Sequence, residues 1–242
     1  MERQHRAMIL AAGRGERLRP ITDTLPKPLV RVLGKPLIVR HLEQLEVAGI
    51  KSVVINHAWL GDVLEEKLNT YWKDRPLKIT FSAEQHLGLE TAGGILKVLP
   101  TLTDPFIVIS GDVFTEFHLK ALVSWTSDLP IDCWARLLLV PNPDHHPNGD
   151  FVQHADGRIA LEENSGNASR YTYSGMGVFR PCMFEGYAHN KSLPLREVLY
   201  PAIENKKVEG VVSQAFWADV GTVERLAELR RRYNDGMSGD IG

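Results

Sequence analysis

From residue 8 to residue 110 the chain alternates short apolar runs with amphipathic stretches, and this alternation leaves few folds open. A helix between successive strands is the connection a parallel sheet requires, so the pattern predicts an α/β protein. Residues 8–11 read as a first strand ending in a glycine-containing loop. Residues 36–48 read as a helix: Pro36 suits a first turn, Ile38, Leu42 and Leu45 share one face, and Gly49 can close it. Strands are expected at 52–56, 79–81 and 106–110, with helices over 63–68 and 91–99. The run 106–110 is apolar enough to be buried on both faces. After Pro130 the pattern predicts strands at 135–140, 150–154, 158–161 and 171–179, then helices over 195–205 and 222–233. No repeat or linker separates the halves. The expectation is one domain over 1–242, with a nucleotide half (7–130), a sugar-phosphate half (131–233) and a frayed tail (234–242).

Composition removes several function classes. The chain has 242 residues, 43% of them hydrophobic and 24% charged, which excludes disordered, collagen-like and coiled-coil chains. Twenty-eight basic against 30 acidic side chains give a net charge of −2, so neither nucleic acid nor a membrane is expected as a partner. The opening residues lack the apolar core of a secretory leader, and the longest apolar runs, such as 137–140, fall far short of a membrane span. Cys133 and Cys182 are the two cysteines, in surroundings that read as apolar strand. Reduced thiols used for packing, and a cytoplasmic location, are the expectation.

The loop after the first strand is the most informative segment. Ala11, Ala12, Gly13, Arg14 and Gly15 follow the strand, where bare backbone lets N–H groups converge on phosphate oxygens. Leu18 stands where the dinucleotide fingerprint needs glycine, and no Gly-Lys-Ser/Thr of a P-loop is present. Two glycines alone fit a tight turn equally well. Arg17, Arg19 and then Lys27 between Pro26 and Pro28 shift the balance: the prolines are expected to hold Lys27 extended, giving a cradle with three formal positive charges.

Transfer chemistry at phosphorus needs a divalent cation, and two carboxylates are candidates. Asp112 follows a buried strand in Ser110-Gly111-Asp112, and Asp219 lies in Trp217-Ala218-Asp219-Val220-Gly221-Thr222 at a strand end before a helix. Each taken singly fits ordinary turn or helix-start chemistry as well.

These segments resemble the signature of the sugar-1-phosphate nucleotidyltransferases, LxAGxGxRLxPxT…PKP, joined by GD after the fourth strand and WxDxGT near the C-terminus. The resemblance runs from Ala7 to about Leu226. It implies a nucleotide-diphospho-sugar transferase fold, a Rossmann-like mixed sheet flanked by helices. It also implies Mg²⁺ on Asp112 and Asp219, and substrates that are a nucleoside triphosphate and a sugar-1-phosphate. In that pattern residues 11–15 and Asp112 wrap the nucleotide, Arg17 grips phosphates and the pyrophosphate leaving group, and Lys27 meets the α-phosphate and the attacking sugar phosphate. A monomer or small homo-oligomer is expected.

The base and the sugar are less constrained. Glu84, Gln85 and Gly88 occupy the base-reading segment of the family; an ionised Glu accepts equally from uracil or guanine. Residues 54–60, 89–91 and 143–151 resemble the branch that acts on N-acetylmuramate α-1-phosphate, which implies UTP as donor and a place in peptidoglycan recycling. For Asn56, His57 and Trp59 a capped strand end with a half-buried aromatic fits as well. On the sugar side the resemblance implicates Asn56, Gly149, Asp150, Glu163 and Ser174. Asn164 stands where many relatives carry a lysine for the sugar phosphate, a departure that bears on Glu163. A lactyl carboxylate would need a partner from His145, His146, Arg170 or Arg196, each of which fits plain surface as well. Rival readings are a mannose- or glucose-1-phosphate guanylyl- or thymidylyltransferase, a non-catalytic nucleotide-sugar sensor, and a nicotinamide oxidoreductase, which Leu18 disfavours.

Overall fold

The computed structural model describes residues 5–84, 88–162 and 169–233. Its strands in chain order are β1 (Arg6–Leu10), β2 (Arg31–Val32), β3 (Lys35–Pro36), β4 (Ser52–His57), β5 (Lys78–Ala83), β6 (Phe106–Ser110) and β7 (Val113–Thr115). They continue as β8 (Ala135–Val140), β9 (Phe151–Gln153), β10 (Ile159–Ala160), β11 (Arg170–Phe179), β12 (Val208–Val212) and β13 (Trp217–Asp219). The helices are α1 (Leu37–Val47), α2 (Gly61–Tyr71), α3 (Glu90–Val98), α4 (Lys120–Asp128), α5 (Leu195–Glu204) and α6 (Val223–Arg232).

Four strands pair in parallel in the order β6-β1-β4-β5. On the far side of β6, β11 joins antiparallel. It carries β8 and β9, so one nine-stranded mixed sheet runs through both halves of the chain. Side chains of β1 alternate between faces: Ala7 and Ile9 meet α1, α2 and α4, whereas Met8 lies in the second core with α3 and α5. A third apolar cluster packs α6 over β7 and the β2–β3 hairpin through Leu226, Leu229, Phe114 and Val32.

The predicted α/β architecture is present, with short elements added. The hairpin β2–β3, the pair β7–β13, the parallel edge strand β12 and helix α4 carried too little periodicity to be read. Helix α4, with Ser124, Thr126 and Ser127 in a nine-residue stretch, has weak intrinsic propensity and is held by burial of Leu122 and Trp125. Cys133 is buried ahead of β8, whereas Cys182 lies in a short 3-10 turn over residues 181–184 rather than a strand. Both are free, and burial pushes both thiols up, away from reactive thiolate. Among the described residues no helix is long and apolar enough to cross a membrane.

Candidate active site

Strand β1 is the point where the sheet order reverses: the chain leaves it toward β4 and β5 on one side and returns to β6 on the other. At such a switch point the loops leaving neighbouring strands part and open a crevice at the strands' carboxyl ends. The crevice here is a cavity of about 670 Å³ lined by Ala11, Ala12, Gly13, Arg14, Lys27, Asn56, Trp59, Glu84, Gly88, Ser110 and Asp112, among others. A second cavity of about 380 Å³ shares Ser110 and Asp112 with it and adds Arg17, His145, His146, Ser174, Asp219 and Arg225. Asp112 therefore stands where the two meet.

Loop residues 11–17 divide into lining and support. Gly15, expected to meet phosphate, lines neither cavity. It holds φ +68 and its carbonyl accepts the Thr22 hydroxyl at 2.7 Å. A Cβ there would lie 2.9 Å from Thr22 Cγ2 and 3.2 Å from Lys27 Cβ. Its bare backbone lets Lys27 pack against the loop. Lys27 itself is not extended: Pro26 is, and Lys27 opens a 3-10 turn over residues 27–29. Pro28 fits that turn because its fixed φ is compatible and the N–H it lacks is not called on there.

The three-charge cradle is largely paired. Lys27 Nζ donates to Asp112 Oδ2, and Arg19 meets Asp23 at 3.0 Å. Arg17 is exposed and lines the smaller cavity without an ion pair among the described residues. Burial by itself raises the Asp112 carboxyl. The Lys27 ammonium and hydrogen bonds from Lys27 and from Ser110 Oγ (2.9 Å) outweigh it, holding the group below the usual carboxylate range. Arg14 lies 4.6 Å over the Trp59 ring, whose Nε1 donates to the Thr22 carbonyl at 3.0 Å; this braces the cavity mouth.

Asn56 ties three strand ends together. Its Oδ1 accepts the Ala11 N–H at 2.9 Å and its Nδ2 donates to Glu84 Oε1 at 2.7 Å. Glu84 Oε2 accepts the Leu89 N–H at 2.7 Å, so both oxygens of the expected base reader are already engaged in bracing the cavity wall. A Cβ on Gly94 would lie 2.6 Å from Glu84 and 2.8 Å from Asn56; that glycine makes room for the brace.

On the sugar side, Ser174 is buried, lines the smaller cavity and accepts the Met176 N–H at 3.2 Å. Asp150 does not line it; its carboxylate takes the Tyr173 N–H at 2.7 Å and faces His146 Nε2 at 3.0 Å. Gly149 (φ +58) is buried against the Asn142 side chain rather than open to a ligand. Arg170 clamps the carbonyls of Asn148, Asp150 and Leu161. Arg196 remains exposed, 3.8 Å from Glu197. His145 and His146, weighed above as surface, line the cavity. Glu163, Asn164 and Gln85 lie outside the described residues, as do 234–242.

Asp112 and Asp219 come together through the sheet. Strand β13 pairs with β7 so that Asp219 opposes Val113, and the Val220 N–H donates to the Asp112 carbonyl at 2.9 Å. Two carboxylates on one cavity wall suit Mg²⁺, which keeps few protein ligands and completes its shell with water and phosphate oxygens. No larger cluster of ligating side chains exists among the described residues.

Comparison with known proteins gives the family. The family model described as nucleotidyl transferase matches residues 6–236. The chain belongs to the nucleotidyl transferase family. Over 226 residues this transferase is 47% identical to N-acetylmuramate alpha-1-phosphate uridylyltransferase of Neisseria meningitidis serogroup B, covering 93% of this chain and 96% of that one. It is 29% identical over 256 residues to a mannose-1-phosphate guanylyltransferase catalytic subunit beta of Danio rerio, covering 98% and 70%. HddC from Yersinia pseudotuberculosis, crystallised with GMP-PN, shares the fold at a TM-score of 0.73 and 24% identity, covering 95% and 99% of the two chains. Among the residues lining these cavities in this nucleotidyl transferase, Ser110 was legible in the sequence only as a strand end, and Arg225 was hidden in a helical charge pattern.

Proposed function

We propose that this nucleotidyl transferase moves a uridylyl group from UTP to N-acetylmuramate α-1-phosphate, releasing pyrophosphate. The observation that carries the choice of substrates is the 47% identity to the Neisseria uridylyltransferase over 96% of that enzyme. The two cavities meeting at Asp112 support a donor on the glycine-loop side and an acceptor on the β11 side.

An acceptor phosphate oxygen attacks the α-phosphorus in line. A new P–O bond forms as the bond to the β-phosphate breaks, and the electron pair leaves with pyrophosphate. The acceptor oxygen is already an anion at neutral pH, so no general base is required. Asp112 and Asp219 would hold Mg²⁺, which supplies charge neutralisation on the reacting phosphates. Lys27, seated between loop and Asp112, is the group for the α-phosphate and the incoming oxygen. Arg17, on the smaller cavity beside Asp112, is the group to steady the departing pyrophosphate. Asn56 and Glu84 brace the wall of the larger cavity, against which the base would lie beside Glu84 and Gly88. By resemblance the product would serve cytoplasmic recycling of cell-wall sugar.

The test is pyrophosphate release with Mg²⁺, crossing UTP, GTP, dTTP, CTP and ATP against the 1-phosphates of N-acetylmuramate, N-acetylglucosamine, glucose and mannose. Release is expected with UTP and N-acetylmuramate α-1-phosphate above all others. Preference for GTP with mannose-1-phosphate would overturn the substrate reading, and nucleotide-sugar binding without turnover would favour a sensor.

A further inference from the structure

In the motif Trp217-Ala218-Asp219-Val220-Gly221-Thr222, the cation reading gives Gly221 and Thr222 no task. Both serve Arg225. Thr222 caps α6, its hydroxyl accepting the Arg225 N–H at 3.3 Å. A Cβ on Gly221 would lie 2.4 Å from Arg225 Nη2 and 2.9 Å from Asp219 Oδ2, so the bare backbone leaves room for the guanidinium in this position against the carboxylate. The Arg225 side chain is 15% exposed, and its Nη1 donates to both Asp219 oxygens. His145 Nε2 stands 2.8 Å from that nitrogen and 3.1 Å from Asp219 Oδ1.

A guanidinium does not lose its proton, so it competes with a metal ion for Asp219 at every working pH. A cation on the carboxylate would release Arg225, which already lines the cavity of Thr172, Ser174 and His145, away from loop residues 11–14. A planar guanidinium there is suited to a bidentate oxyanion.

We propose that Arg225 is an acceptor-binding residue: held on Asp219 until a divalent cation binds, it then receives an oxyanion of the acceptor sugar phosphate. This rests on Asp112 and Asp219 being the cation ligands. Two oxyanions offer the same chemistry, the acceptor's phosphate and a carboxylate on its sugar.

The test uses the full chain. Mn²⁺ binding without substrates is read by electron paramagnetic resonance, and steady-state kinetics are run with N-acetylmuramate and N-acetylglucosamine 1-phosphates. Arg225→Met is expected to bind Mn²⁺ about tenfold more tightly than wild type, and its acceptor KM to rise about tenfold or more with a smaller change in kcat, the scale of one lost charge-assisted pair. Arg225→Lys is expected to recover part of both. A KM rise confined to the muramate substrate assigns the lactyl carboxylate; an equal rise on both assigns the phosphate. Unchanged Mn²⁺ affinity and unchanged KM in a variant that melts like wild type would overturn the proposal. Asp219→Asn separates the two readings. If it leaves Mn²⁺ binding intact, the carboxylate pair is not the cation site and both fall; if it abolishes binding while Arg225→Met changes nothing, only Arg225 falls.

Discussion

The carbonyl of Asp112 accepts the N–H of Val220 at 2.9 Å, and through this bond the chain brings its two distant carboxylates to one wall. Neither aspartate is delivered by its own strand alone. Asp112 leaves β6 at the switch point, and β13 reaches it by pairing with β7. The charge of Asp112 is held by Lys27 and that of Asp219 by Arg225, so each carboxylate carries a counter-cation in the fold.

Asp112→Asn and Asp219→Asn are isosteric and keep the β7–β13 backbone pairing. Each is expected to lower turnover at least about a hundredfold, the scale of removing one preorganised electrostatic group. Each substitution also leaves Lys27 or Arg225 without its carboxylate, so melting temperature is expected to fall, by too little to account for the loss of turnover. Pyrophosphate release and thermal unfolding measure the two; near-full turnover in both variants would remove the carboxylates from the mechanism.

Asn56→Leu leaves the Ala11 N–H and one Glu84 oxygen without their partner in a buried wall. A cost of about 1–3 kcal/mol for each orphaned group is expected in denaturant titration. The nucleotide KM should rise as the wall relaxes. Stability equal to wild type would mean that water replaces the brace without penalty.

Gly15→Ala places a Cβ at φ +68 against Thr22 Cγ2. Left-handed backbone costs a non-glycine residue about 1–2 kcal/mol. Because Lys27 packs on that loop, the variant is expected to lose turnover beyond what its stability loss explains. Gly13→Ala, with nothing within 4 Å of the new Cβ, is the control for stability.

His41 gives the fold an acid limit. Burial is the main cause that lowers its pKa from 6.5 to about 4, opposed by the Val113 backbone and by Asp112. The unfolded chain therefore binds a proton that the folded chain refuses between pH 6.5 and 4. Stability from this group is complete above pH 6.5 and falls as pH drops through that window, by about 3 kcal/mol at 1.36 kcal/mol per unit. His41→Leu should flatten this limb of an equilibrium unfolding series; an unchanged acid limb would place the titration elsewhere.

Legibility in the sequence followed the strength of local signal. The strands of the parallel core and helices α1, α3 and α5 carry clear periodicity, and the glycine loop, Lys27, Asp112 and Asp219 sit in dense motifs. Short pairs such as β7–β13 hold three residues per strand and exist only because tertiary contact supplies their partners. The same holds for Asn56 and Glu84: residue identity marked them as polar at strand ends, but only the fold shows that they bond each other. Gly149 and Asp150 fell in a matching segment, yet the Asn142 side chain and the Tyr173 N–H claim them. Arg225 was unreadable because a basic residue on a helix with Arg230, Arg231 and Arg232 looks like solvated charge.

Direct uridylyl transfer is tested by one experiment: UTP labelled at the α-phosphorus, incubated with N-acetylmuramate α-1-phosphate and Mg²⁺, with every labelled species counted. All transferred label is expected in the UDP-sugar, one pyrophosphate per label, with none on the protein and none released before acceptor is added. Label on the protein, a pyrophosphate burst without acceptor, or intact UTP under conditions where GTP and mannose-1-phosphate react would contradict it.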